Sequence, residues 1–175
     1  MRFRLGVPAL IGIAGLCAGS SLLACGDKFL VAGRGARFQR GGARTTVVIY
    51  APPSSSLHGD LRNLPVDKVL TLGGYRPAAA ASKEELQEAL KERGPDVILA
   101  DVADARSIEG QFPPGPAGPI ILPVLNKPTR QELSEARKTW GVALKAPASG
   151  DSLLDAVDEA VEFRAKAIKN ASLKH

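Results

Sequence analysis

The chain has 175 residues, of which 45% are hydrophobic and 23% charged, a balance that fits one globular domain with a full core plus short extra segments. Its net charge of +5 is concentrated in the N-terminal third and the C-terminal tail, so no nucleic-acid partner is expected. Both cysteines, Cys17 and Cys25, precede the body, and the two histidines, His58 and His175, lack ligand spacing; a disulfide, a thiolate metal site and a histidine zinc site are all excluded from it, and no cofactor is expected.

Residues 1–24 open with Arg2 and Arg4 and then run through an apolar, small-residue stretch without an acid, which is the layout of a secretory signal. The segment closes on Leu22-Leu23-Ala24-Cys25-Gly26, which resembles the bacterial lipobox. That resemblance implies cleavage before Cys25 and lipidation of its thiol, and several acyl chains anchor stably where one binds marginally. Leu23 is bulkier than the usual residue there. The competing expectation is an uncleaved span, because about 20 apolar residues cross a bilayer. The cations that follow, Lys28, Arg34, Arg37, Arg40 and Arg44, favour that alternative and would keep the domain cytoplasmic.

Residues 25–44, rich in Gly and Arg, read as a basic tether whose cations suit anionic headgroups. Gly33-Arg34-Gly35 lacks the third glycine of a dinucleotide fingerprint.

From Thr45 short apolar runs alternate with helical stretches, and residues 45–165 form the expected domain, followed by a basic tail over 166–175. The runs at 45–51, 68–72, 96–101, 119–125 and 141–146 suit strands buried on both faces. Ser82-Lys83-Glu84-Glu85 and Thr129-Arg130-Gln131-Glu132 are capping-box patterns that start helices ending near Gly94 and Gly141. The last helix starts near Ser149–Ser152, with Trp140 expected beneath it as a packing residue. The stretch after Ala51 leaves little room for a full helix, and Arg106 to Gly118 reads as a Pro/Gly-rich loop. The alternation predicts a doubly wound α/β fold: a five-stranded parallel sheet with flanking helices.

Three stretches carry a resemblance to the receiver domain of bacterial response regulators over residues 45–163. "ALKERGPDVILADV" resembles its second helix and third strand, "PIILPVL" its fourth strand, and "GVALKAPASGDSLLDAVDEAV" its fifth strand and last helix. The resemblance implies a flavodoxin-like fold with Asp101 in the phosphoacceptor position and Lys145 in that of the lysine, although Ala146 stands between Lys145 and Pro147. It also implies an acidic pair after the first strand to hold magnesium, since the transferring phosphoryl group needs its charge offset. Here that place reads Tyr50-Ala51-Pro52-Pro53-Ser54, without an acid, and His58 and Asp60 come later. The family's switch positions fall near Val124 and Val142.

The expectation is therefore a degenerate receiver-like domain, not an enzyme, lipid-anchored at a bacterial cell membrane and facing the periplasm or exterior. It would work by contact with an envelope protein, with Asp101 and Lys145 as a structural ion pair. Because ligands of open α/β sheets bind beyond the carboxyl ends of the strands, the candidate contact edge comprises Pro52, Ser54, Gly73, Tyr75, Asp101, Asp104, Asn126 and Lys145. The alternative is a cytoplasmic-facing signalling module in which Asp101 accepts phosphate. An enzyme is the weakest reading, because the body has no Gly-x-Ser-x-Gly elbow or phosphate loop, and Ser54, His58 and Asp60 share one loop.

Overall fold

The computed structural model describes residues 45–61, 63–112 and 118–173; Cys25, with the signal and tether, lies outside the described residues. Five parallel strands, β1 (Thr46–Tyr50), β2 (Arg76–Ala80), β3 (Val97–Asp101), β4 (Ile120–Asn126) and β5 (Leu144–Ala146), form one sheet in the order β2-β1-β3-β4-β5. The helices are α1 (Leu57–Asp60), α2 (Val66–Leu72), α3 (Lys83–Arg93), α4 (Val102–Glu109), α5 (Arg130–Trp140) and α6 (Gly150–Ser172). This is the doubly wound α/β fold expected from the alternation of strands and helices.

Strand alternation sorts the core into two layers. Val47, Val97, Leu99, Leu122, Val124 and Leu144 pack with Leu57, Leu70, Leu153 and Val157, under α1, α2 and α6. Val48, Tyr50, Ile98, Ala100 and Ile121 pack with Leu86, Ala105 and Ile108, under α3 and α4. Leu125 and Ala143 complete the second layer with Ala136 of α5. Successive side chains of a strand point to opposite faces, so a strand with both faces covered must be apolar throughout, and Val97 to Ala100 are fully buried.

Both capping motifs act at helix starts. Ser82 Oγ accepts from Glu85 N at 3.1 Å, and Thr129 and Glu132 form a reciprocal capping box on α5. Hydrogen bonds from Thr129, the backbone N–H first and the hydroxyl second, hold the Glu132 carboxyl below its ordinary value. Ser149 caps α6 by accepting from Ser152 N at 3.1 Å.

Four expectations are corrected. Residues 68–72 are not a strand but belong to α2: Val66, Val69 and Leu70 fall on one helical face against the core, and Leu72 is 88% exposed. The second strand is Arg76–Ala80, an alanine-rich segment that lies at the sheet edge, where the missing N–H of Pro77 is tolerated. Arg106 to Glu109, expected to open a loop, instead belong to α4, which Asp101 caps. Trp140 packs against Leu125, Ala136 and Ala143 on the α5 side of the sheet, opposite the layer beneath α6.

At the amino edge of the sheet, Asp96 joins three elements. One carboxylate oxygen accepts from Thr46 N at 2.9 Å, and the other pairs with the Arg164 guanidinium, whose Nε donates to Gly118 O at 3.2 Å. The two charged side chains are 22% and 28% exposed, so solvent screens the pair only in part. Asp96→Ala should lower the free energy of unfolding by about 1–3 kcal/mol in urea titration, and adding Arg164→Ala should cost much less than the sum of the single changes.

Candidate functional site

The carboxyl edge is built around the end of β3. Asp101 closes that strand and caps α4, its Oδ1 accepting from Ala103 N at 2.7 Å. Its Oδ2 accepts from Ser56 Oγ, which also lies 2.9 Å from Asp60 Oδ2. A serine hydroxyl carries one proton. Ser56 therefore donates to one carboxylate at a time, and the two acids share a single donor. Neither Ser56 nor the approach of Asp60 was evident in the sequence; the one legible signal was their four-residue spacing, a single helical turn across α1.

Asp104, in the first turn of α4, has its Oδ2 buried without a hydrogen-bond partner. Its charge acts on Tyr50, whose hydroxyl titrates above the ordinary phenol value because of burial first, then Asp104, then Glu84. Pro52 and Ser54 follow β1 at the same edge, and Asn126 ends β4 exposed to solvent. Beside Asn126 a groove of about 710 Å³ runs between α4 and α5, lined by Val102, Arg106, Leu125, Glu132 and Trp140. The Trp140 indole N–H is buried without a hydrogen-bond partner.

Two of the expected edge residues are elsewhere. Gly73 and Tyr75 precede β2 and so lie toward the amino edge, a direct result of 66–72 being helical. Gly73 is a packing position, because a Cβ there would come within 2.4 Å of the Leu154 side chain. The Tyr75 hydroxyl donates to Asp158 of α6 and joins the start of β2 to that helix.

Lys145 forms no ion pair with Asp101 among the described residues. Asp101 pairs in register with Val124, whose side chain faces α6, whereas Lys145 pairs with Leu125, whose side chain faces α5. A one-residue step turns a side chain to the other face of a sheet. The extra residue before Pro147 thus leaves the buried methyl of Ala146 on the Asp101 side and the exposed amine of Lys145 on the far side.

No family model matches the chain, and no curated protein matches it significantly. Among solved structures the chain is similar to NtrX from Brucella abortus, crystallised in complex with ADP. The TM-score is 0.56 and the identity 14%, over 75% of this chain and 29% of that one. The match thus spans less than a third of the NtrX chain. A response regulator from Thermotoga maritima gives a TM-score of 0.48 at 18% identity, over 67% of this chain and 98% of that one. The chemotaxis protein CheY4 from Vibrio cholerae gives 0.44 at 24% identity, over 67% and 99%. At 14% identity the likeness to that part of NtrX, with the strand order β2-β1-β3-β4-β5, establishes the fold alone, which is receiver-like and of the flavodoxin type.

Asp101→Ala should destabilise the domain by about 1 kcal/mol through loss of the α4 cap, while Asp101→Asn, an equally good cap, should cost a few tenths; chemical denaturation measures both. In the fold the neutral phenol of Tyr50 is favoured. That contribution to stability is present below the ordinary value of 10.0 and is lost as pH rises through the raised folded value. An ultraviolet titration should therefore contain a tyrosine component above 10.0 that Tyr50→Phe removes.

Proposed function

We propose that the chain is a receiver-fold module that works by protein contact at a bacterial membrane, anchored by lipid on Cys25 and no longer competent for phosphotransfer. The observation that carries this reading is the turn after β1. A receiver holds its metal with carboxylates there, and this chain has Ala51, Pro52, Pro53 and Ser54. A transferring phosphoryl group bears charge that must be offset by cations and donors around it. On this edge the lysine position is taken by the buried Ala146, and the Asp101 oxygens are occupied by Ala103 N–H and Ser56. Asp101 then serves as a structural cap, and the exposed edge with its α4–α5 groove is the surface left for a partner protein.

The second reading, an inward-facing signalling module with Asp101 as phosphoacceptor, draws support from one feature. Asp60 reaches the shared serine and puts a second carboxylate beside Asp101. Beryllofluoride with magnesium distinguishes the two readings. Under the first, amide resonances of residues 100–104 and 124–126 should stay unmoved in a heteronuclear NMR titration. Saturable shifts there, abolished by Asp101→Asn, would establish the second.

Anchoring is tested separately, by intact mass and protease accessibility of the membrane-bound protein from a bacterial host. The wild type should begin at Cys25 with lipid and be digested from outside the cytoplasm, and Cys25→Ala should keep the unprocessed mass. A chain that retains Met1 with a shielded domain would overturn the lipoprotein reading.

A further inference from the structure

We propose that the C-terminal end of α6 is a lipid-contact element that lays the amino edge of the domain against an anionic phospholipid surface. The inference rests on the anchoring reading above and adds the face by which the domain meets the membrane.

The geometry begins with length. At a rise of about 1.5 Å per residue, the 23 residues of α6 span about 34 Å, whereas a five-residue strand spans about 17 Å. Arg164 marks the point where α6 reaches the amino edge, because it holds Asp96 just before β3 and Gly118 O just before β4. Residues 165–172 continue for two further turns with no strand beneath them.

The face that the helix turns to the core continues along those turns. Leu153, Ala156, Val157 and Ala160 are buried, and the same helical spacing carries on through Arg164, Ala167, Ile168 and Ala171. Past the sheet it loses its cover: Ile168 is 45% exposed, with Phe163 at 43% and Leu173 at 75% nearby. Of the four large hydrophobic residues exposed among the described residues, three are at this end of α6.

Charge supplies the second argument. From Phe163 to Leu173 the chain has Arg164, Lys166 and Lys169 and no acid. Arg164 is engaged by Asp96, and Lys166 lies 3.9 Å from Glu162 in an exposed pair that water and salt weaken, while Lys169 has no ion-pair partner among the described residues. At about 3.6 residues per turn, Ala167, Ile168 and Ala171 share one face and Lys166 and Lys169 lie on the opposite one, the amphipathic arrangement that settles into the headgroup layer of anionic bilayers.

The third argument is where the preceding chain enters. Thr46, the first residue of β1, is tied through Asp96 to Arg164, so the described chain begins at the same edge as the overhanging turns. A lipid on Cys25 would attach the domain to the bilayer at that edge.

The test is hydrogen–deuterium exchange of the full processed chain in vesicles of phosphatidylglycerol and phosphatidylcholine, compared with phosphatidylcholine alone. Amides of residues 165–173 should exchange slower by about tenfold or more in the anionic vesicles. Ile168→Asp and the pair Lys166→Glu, Lys169→Glu should each remove that slowing while the chain stays vesicle-bound. An unchanged thermal midpoint would show that these variants are folded.

Equal exchange in the two vesicle types from a chain that is lipidated and bound would overturn the lipid contact and leave the anchor standing. If the mass shows no lipid, the anchoring reading fails, and the same vesicles added to the free chain decide the contact alone. Slowing supports it and its absence overturns it. Protection without vesicles that grows with protein concentration would assign the surface to a second copy. Protection without vesicles that is lost on deleting residues 26–44 would assign it to the tether, and either result overturns the proposal.

Discussion

The structure depends on β3 being covered on both faces. Four consecutive residues, Val97 to Ala100, are fully buried, which requires helices above and below. A backbone so enclosed must also satisfy its hydrogen bonds from neighbouring strands, since unpaired buried amides are costly. β1 and β4 meet that need on either side. The remaining elements follow from this: β2 and β5 become edges, and the connecting helices divide between the two layers. The first polar side chain after the buried run is Asp101, which places a carboxylate at the edge where loops converge.

What was legible in the sequence was legible for a physical reason. Between their end residues the central strands have no polar side chain to contradict a two-sided burial, and the helices at Ser82, Thr129 and Ser149 begin with side chains that accept from the first turn. Residues 68–72 misled because a short apolar run is compatible with a strand or a buried helix. Only the third and fourth neighbours of Val66, and the exposure of Leu72, decide between them. The true second strand was obscured by alanine and by Pro77, poor strand formers that an edge position tolerates. The helix after β3 was obscured for another reason. Asp101 both ends β3 and caps α4, and a carboxylate that fits the end of a strand gives no separate sign of the helix that it starts.

The site was less legible than the fold, because a site needs register as well as type. Lys145 stands one position before Ala146, and in a sheet one position is the opposite face. Ser56 and Asp60 carried no strand or helix signal of their own. They matter because a four-residue helix after β1 returns the chain over the edge. At the carboxyl edge the buried Ala146 lies on the Asp101 side, and Ala51, Pro52, Pro53 and Ser54 follow β1.

The Asp96 junction has a mechanical consequence. Any pull transmitted along the preceding chain enters at residue 45 and acts along β1, which is hydrogen-bonded to β2 on one side and β3 on the other. Such a load shears both ladders at once and does not peel them bond by bond. Beside the bond from Arg76 N to Thr45 O, the bond from Thr46 N to Asp96 is among the first to feel it and is itself held by the guanidinium of α6. A domain attached at that point is suited to bear tension without unravelling from its end.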